Sequence, residues 1–326
     1  MTRFLIGFVA LAFFSTPALA ERGDSAWYGE VRGGSVFAMD SEEDLLGSVR
    51  RVTAEAKPSK RSKSTETVSF INSKGGSGAT FLATNTAHML TAVADQQTVL
   101  VDLDLQFGNL TQYLDLKPTR GIFDALDVAD DLDSVAIEAY LTKHESGLSV
   151  LAGMSGEFDA QSDMMLDGFE RVMELLSSNY EKIIVDLPRH IDAFSASVLE
   201  RSDRVAIVVQ QSIPSLQDGA RVYDILTKRL AIPADRIMIV LNRMFKNAAV
   251  ELSDVAQSLN GSKPFVIPND YQAVSESVNI GVPIYDLAKR SPVTKALLQL
   301  IEELDGRPAA KPKGLISRLR GAARQG

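Results

Sequence analysis

The stretch Thr67-Val68-Ser69-Phe70-Ile71-Asn72-Ser73-Lys74-Gly75-Gly76-Ser77-Gly78-Ala79-Thr80 decides how this chain is read. Val68 to Ile71 is a short apolar run of strand type, and the residues from Thr80 to Thr91 carry a helical period. The turn between them is rich in glycine. Glycines let successive backbone N–H groups converge on one anion, and the amino terminus of the following helix adds a partial positive charge. Gly75, Gly76, Ser77 and Gly78, with the amides of Ala79 and Thr80, are therefore expected to cradle a phosphate, and the Thr80 hydroxyl to reach Mg2+. Lys74 stands just ahead of the glycines. A dinucleotide-binding turn fails on spacing, because the position of its third glycine is Thr80 counted from Gly75 and Phe81 counted from Gly76.

The loop departs from the standard pattern at one place. A phosphate loop usually has lysine immediately before the Ser/Thr, and this chain has Ala79. A lost hydrogen bond to a charged group costs about 1.5–3 kcal/mol, roughly ten- to hundredfold in affinity. Charge developing on a transferring group is also left without an offset. The sequence thus implies binding through main-chain amides, with hydrolysis slow or absent.

Two further apolar runs end in acids. Val99-Leu100-Val101-Asp102-Leu103-Asp104 places Asp102 and Asp104 two apart, so that an extended chain would point both toward the phosphates. Ile183-Ile184-Val185-Asp186-Leu187-Pro188 places Asp186 where it would bind Mg2+ through water, and Asp104 where it would orient an attacking water. Leu241-Asn242-Arg243 and Ile267-Pro268-Asn269-Asp270 close two more runs, and the Asn242 amide suits a purine edge. Each of these, taken singly, also reads as ordinary turn chemistry after a strand.

Outward from the loop, Leu148 to Leu151, Val205 to Val209, Ile237 to Leu241 and Phe265 to Ile267 complete a set of short apolar runs. Helical stretches alternate with them: Asp163 to Ser178, Ala193 to Ser202, Ser215 to Leu230, Val250 to Leu259 and Pro292 to Leu304. This rhythm predicts an α/β fold, a mostly parallel sheet with helices on both faces, whose ligand sits at the carboxyl ends of the strands. The chain has 326 residues, 45% hydrophobic and 23% charged, with a net charge of −8, which speaks for a globular protein and against nucleic acid as a partner. It has no cysteine, so disulfides, thiolate metal sites and thiol nucleophiles are excluded. Its three histidines, His88, His144 and His190, are widely spaced and make zinc an unattractive reading.

The ends of the chain read differently. Residues 1–20 resemble a secretory leader, with Arg3, the apolar run Phe4 to Phe14, and the small-x-small triplet Ala18-Leu19-Ala20. That conflicts with a protein fuelled by cytoplasmic ATP, and Met39 offers a later start. Residues 21–66 read as an irregular basic linker, with the nucleotide-binding domain expected over 67–305. In the basic tail 306–326, Leu315, Ile316 and Leu319 would share one helical face amid Lys and Arg, as in a helix lying on an anionic membrane; a frayed soluble tail fits as well.

Lys74 to Thr80, Asp102-Leu103-Asp104, Asp186-Leu187-Pro188-Arg189, Leu241-Asn242-Arg243 and Ile267-Pro268-Asn269-Asp270 together resemble the MinD/ParA ATPases with a deviant Walker A loop. Ala79, the Asp-Leu-Pro-Arg run and the Ile-Pro-Asn-Asp-Tyr run resemble the CpaE/TadZ branch of Tad/Flp pilus assembly. The resemblance implies a P-loop NTPase fold and a homodimer that sandwiches Mg-ATP, with Lys74 reaching the partner's nucleotide. It implies that Thr80, Asp102 and Asp186 organise the metal. Asn242 and the loop Pro268-Asn269-Asp270 correspond to adenine-contacting segments, and Asp102 with Asp104 to a nucleotide-sensing switch. The expected role is an assembly or positioning factor at the cytoplasmic face of the inner membrane, working with a pilus secretion ATPase and platform. A MinD/ParA-type ATPase that positions division sites or DNA is the alternative. CpaE/TadZ members usually carry a receiver-like domain ahead of the ATPase, where this chain has only the irregular lead.

Overall fold

A computed structural model describes residues 65–105, 108–153 and 163–305. The leader, the linker up to residue 64 and the tail 306–326 lie outside the described residues. The strands are β1 (Glu66–Asn72), β2 (Thr98–Asp102), β3 (Thr142–Lys143), β4 (Ser149–Leu151), β5 (Lys182–Leu187), β6 (Arg204–Val209), β7 (Ile237–Met244) and β8 (Phe265–Pro268). They form one eight-stranded sheet in the order β3-β4-β2-β5-β1-β6-β7-β8. Only the short β3 runs antiparallel to its neighbour. The other pairs are parallel.

The helices are α1 (Ala79–Ala92), α2 (Ile122–Leu126), α3 (Asp163–Asn179), α4 (Ala193–Arg201), α5 (Ile213–Asp224), α6 (Leu252–Ser258), α7 (Tyr271–Ile280), α8 (Ile284–Leu287) and α9 (Pro292–Asp305). They cover both faces of the sheet, and β1 shows why. Val68 and Phe70 pack with α1 and α9, through Leu82, Leu90, Leu297 and Leu300. Ile71 points to the opposite core, formed with Phe169 and Val172 of α3, Val198 of α4 and Leu216 of α5. Period-two alternation with apolar residues at nearly every position is what a strand buried on both sides requires.

The alternating α/β reading is therefore the architecture observed. The helical run into Leu230 changes character at its end, where α5 gives way to a wider π turn at Ile225–Arg229. Ser212 caps α5 by accepting the amide of Ser215, and Pro214 occupies its first turn, where no N–H is needed. Because β1, β2, β5, β6, β7 and β8 run the same way, their carboxyl ends share one edge, and the loops after them meet there.

Candidate functional site

The loop after β1 closes on itself before it meets anything else. Ser77 donates its amide to the Lys74 carbonyl at 3.0 Å, and Ala79 donates its amide to Asn72 Oδ1 at 3.0 Å. Those two amides are spent inside the loop and do not join the expected cradle. The amides of Gly75, Gly76, Gly78 and Thr80 are the donors left to face an anion. Gly76 and Gly78 take φ of +80° and +99°, where side chains are strained. Gly78 is fixed by contact as well, since a Cβ there would stand 2.4 Å from Asn242 Nδ2.

Asn242, at the end of β7, braces this loop. Its Nδ2 donates to the Ser77 carbonyl at 2.8 Å, and its Oδ1 accepts the Arg243 amide at 2.9 Å. A second brace comes from β6 and α5. Gln210 Nε2 donates to the Gly76 carbonyl at 3.0 Å, while the buried Ser215 hydroxyl accepts the Gln210 amide at 2.8 Å and lies 3.0 Å from Ser73 Oγ. Sequence reasoning missed Asn72, Gln210 and Ser215. Asn72 ends β1 and Gln210 directly follows β6, which is their only signal, while Ser215 sits in the first turn of α5 and carries none.

Below the loop lie the carboxylates. Asp102 and Asp186 are register partners across β2 and β5. Asp186 is buried, and the neighbouring Thr80 side chain acts to lower its pKa against that burial. Its Oδ1 has no hydrogen-bond partner. Burial, followed by the charge of Asp102, holds Asp186 well above the usual carboxylate range. An unpaired buried carboxylate oxygen beside a phosphate-loop hydroxyl suits a divalent cation, a combination the fold class uses for Mg2+.

Asp102 and Asp104 do not share one face, as extended chain would have had them do. The strand ends at Asp102, and the Asp104 amide turns back to donate to Asp102 Oδ1 at 3.0 Å. Asp104 lines the cavity, but the Asp102 carboxylate is closed off: a Cβ at Gly108 would stand 2.7 Å from its Oδ2. Asp102 therefore organises the turn after β2, which also includes the Leu110 amide. Burial raises its pKa to about 7, with the Asp104 amide pulling the other way and the Asp104 charge adding to the rise.

The glycine loop, Thr80, Asp104 and Asn242 line a cavity of about 480 Å3 at the carboxyl edge of the sheet. The loop Pro268-Asn269-Asp270 and Tyr271 line it as well. The Asn269 amide donates to the Met244 carbonyl at 3.0 Å. Asp270 caps α7, with Oδ1 accepting the Ala273 amide at 3.3 Å and Oδ2 the Ser291 hydroxyl at 2.7 Å. Tyr113, Arg189 and Arg243 also line the cavity. Lys74 is exposed beside it. A separate apolar groove of about 390 Å3 runs between α5 and α6, lined by Ile213, Leu216, Ala220 and Val250.

The fold also gathers two of the histidines. His88 of α1 and His144 lie edge to face with ring centroids 5.4 Å apart, and His88 Nε2 is 3.1 Å from Asp286 Oδ2. The Ser146 amide donates to His144 Nδ1 at 3.2 Å, which places that ring's proton on Nε2 in the neutral form. No group of three or more metal-ligating side chains stands in metal-binding geometry among the described residues.

Comparison with known proteins agrees with this geometry. The MinD septum site-determining protein of Thermotoga maritima is 23% identical over 238 residues, covering 72% of this chain and 85% of that protein. The structure of a ParA family ATPase from Chlorobium tepidum superposes with a TM-score of 0.65 at 26% identity, over 74% of this chain and all of that one. The structure of MinD complexed with Mg-ADP from Pyrococcus horikoshii shares the fold, with a TM-score of 0.60 at 21% identity over 74% of this chain and 96% of that one. The AAA domain family matches residues 65–231, half of the sequence. The chain belongs to that family, on the MinD/ParA side of the P-loop NTPases.

Proposed function

We propose that this protein binds Mg-ATP and uses it to form a homodimer that assembles or positions a Tad/Flp-type pilus or secretion machine, with slow or absent hydrolysis. The observation that carries nucleotide binding is a glycine loop with φ of +80° and +99° that lines a cavity together with Thr80, with buried Asp186, whose Oδ1 is unpartnered, close enough for the Thr80 side chain to act on its pKa. The Mg-ADP complex of the structural neighbour supports the same cofactor here. When bound, the ion would neutralise charge between phosphate oxygens.

Within this reading Thr80 and Asp186 hold the metal, and the loop amides hold the phosphates. Asp104 and the Asp102-organised turn sense the nucleotide, while Asn242 and Pro268-Asn269-Asp270 border its base. Exposed Lys74 bridges to the partner's nucleotide. Ala79 supports weak turnover and, with the Asp186-Leu187-Pro188-Arg189 run, the pilus-assembly branch. The domain is assigned to 67–305, between a linker and a basic tail that contacts the inner membrane from the cytoplasmic side. No described helix is long and apolar enough to cross a membrane.

Sedimentation of the purified protein with and without Mg-ATP tests binding and dimerisation together; an unchanged mass defeats the dimer switch. Co-purification of a pilus secretion ATPase or inner-membrane platform supports the assembly role, and normal piliation in a deletion strain defeats it. The named relatives favour a second reading, a positioning ATPase for division sites or DNA. Rapid phosphate release or ATP-stimulated DNA binding would select it.

A further inference from the structure

Strand β7 carries one residue too many as it leaves the sheet. Leu241 pairs with Val266 and Met244 with Pro268, so three steps along β7 match two along β8, and the surplus falls at Asn242 and Arg243. Arg243 takes up the irregularity with φ of +56°, a left-handed backbone that a long side chain rarely adopts. Bulges re-aim side chains beside sites, and strain of this kind persists where surrounding contacts enforce it. Asn242 supplies the enforcing contacts. Asn242 Oδ1 holds the Arg243 amide, and the same side chain's Nδ2 holds the Ser77 carbonyl of the phosphate loop.

The bulge puts Arg243 on the wall of the cavity that contains Gly75, Gly76, Gly78 and Thr80. Its charge and that of Asp186 both act on the Tyr113 hydroxyl, so the guanidinium stands in the electrostatic neighbourhood of the metal-side carboxylate. The cavity has one other arginine, Arg189, and that one is engaged by Asp218 at 3.2 Å. Arg243 makes no ion pair among the described residues. The loop, meanwhile, has Ala79 where a lysine would meet the phosphates.

We propose that Arg243 is this subunit's own phosphate-binding cation, aimed by the bulge so that its guanidinium supplies the charge missing at Ala79. Guanidinium is suited to that task, since its planar fork meets two phosphate oxygens at once. The inference rests on the nucleotide-binding reading above and goes beyond it by naming the residue that distinguishes triphosphate from base in cis.

The test measures Mg2+-supported binding of adenosine, ADP and ATP to wild type, Arg243→Gly and Arg243→Lys by calorimetry and competition. Glycine suits φ of +56°, so Arg243→Gly is expected to fold at least as stably as wild type, which its melting curve checks. Its affinity for ATP and ADP should fall about ten- to hundredfold while adenosine changes less than twofold, and Arg243→Lys should recover part of the loss. Adding Ala79→Lys should shrink the effect of Arg243→Gly. Equal losses for adenosine and ATP would make Arg243 a base contact and overturn the proposal, as would unchanged affinity for all three. A wild-type protein that binds none of them would overturn nucleotide binding itself, a result distinct from either.

Discussion

The Asn242 side-chain amide occupies the space where a β-carbon at Gly78 would stand, 2.4 Å away. One end of the sheet thereby dictates the composition of a loop that is distant in sequence. Asn242 can hold the Ser77 carbonyl only because position 78 has no side chain. Gly78→Ala meets both this contact and a φ of +99°. The expected cost is about 1–3 kcal/mol of stability, accompanied by loss of nucleotide affinity. Thermal melting with and without Mg-ATP measures both, and an unshifted melting curve would contradict the brace.

Thr80→Ala removes the hydroxyl that acts to lower the Asp186 pKa and leaves the buried carboxylate with less polar support. Mg-ATP-dependent dimerisation should disappear, and stability without nucleotide should fall by about 1–3 kcal/mol. Unchanged assembly in sedimentation would remove Thr80 from the metal site.

Much of this was legible in advance, and the exceptions have physical causes. The central strands could be read because burial on both faces makes them continuous apolar runs, as in Val205 to Val209. Helix α7 was not, because Gln272, Ser275, Glu276 and Asn279 dilute its period, although Asp270 at its start and Gly281 in left-handed conformation at its end are recognisable caps. In the site, the loop, Thr80 and Asp186 followed from motif and strand ends. The facing of Asp102 and Asp104 did not, because where a strand stops is decided by the amide that folds back onto Asp102. The bulge at Arg243 and the meeting of His88 with His144 depend on pairings between distant segments, which no local pattern encodes.

Asp102 supplies a pH test in metal-free buffer. Its folded pKa of about 7 lies above the ordinary 3.8, so its favourable contribution is complete below that lower value and is lost as pH rises through 7. The loss amounts to about 4 kcal/mol. Asp102→Asn keeps an acceptor for the Asp104 amide but cannot ionise. It should melt above wild type at pH 8 and close to it at pH 4, and parallel melting curves across that range would refute the account.

His88 shifts the other way. Burial dominates over the neighbouring Asp286 and lowers its pKa from 6.5 to about 4, with His144 adding to the fall. The unfolded chain takes up a proton first, so stability is complete above pH 6.5 and declines as the pH falls toward 4, by about 3 kcal/mol. Glu145 and Asp286 act on the adjoining His144, and both raise its pKa against the burial that lowers it. His88→Leu should flatten the acid limb of the stability curve. Chemical denaturation between pH 4 and pH 7 measures the slope, and the same slope in both proteins would assign it elsewhere.

The hydrogen bonds through Ser215 and Gln210 make the anion cradle and the first turn of α5 a single jointed part. That part passes through the sheet's edge: α1 continues the cradle against one face, while α5 lies on the other and forms a wall of the apolar groove. A displacement of the cradle passed along these bonds would move the far wall. If the two are coupled, linkage makes the effect reciprocal, so that a molecule seated between α5 and α6 would shift the cradle's affinity by the same free energy.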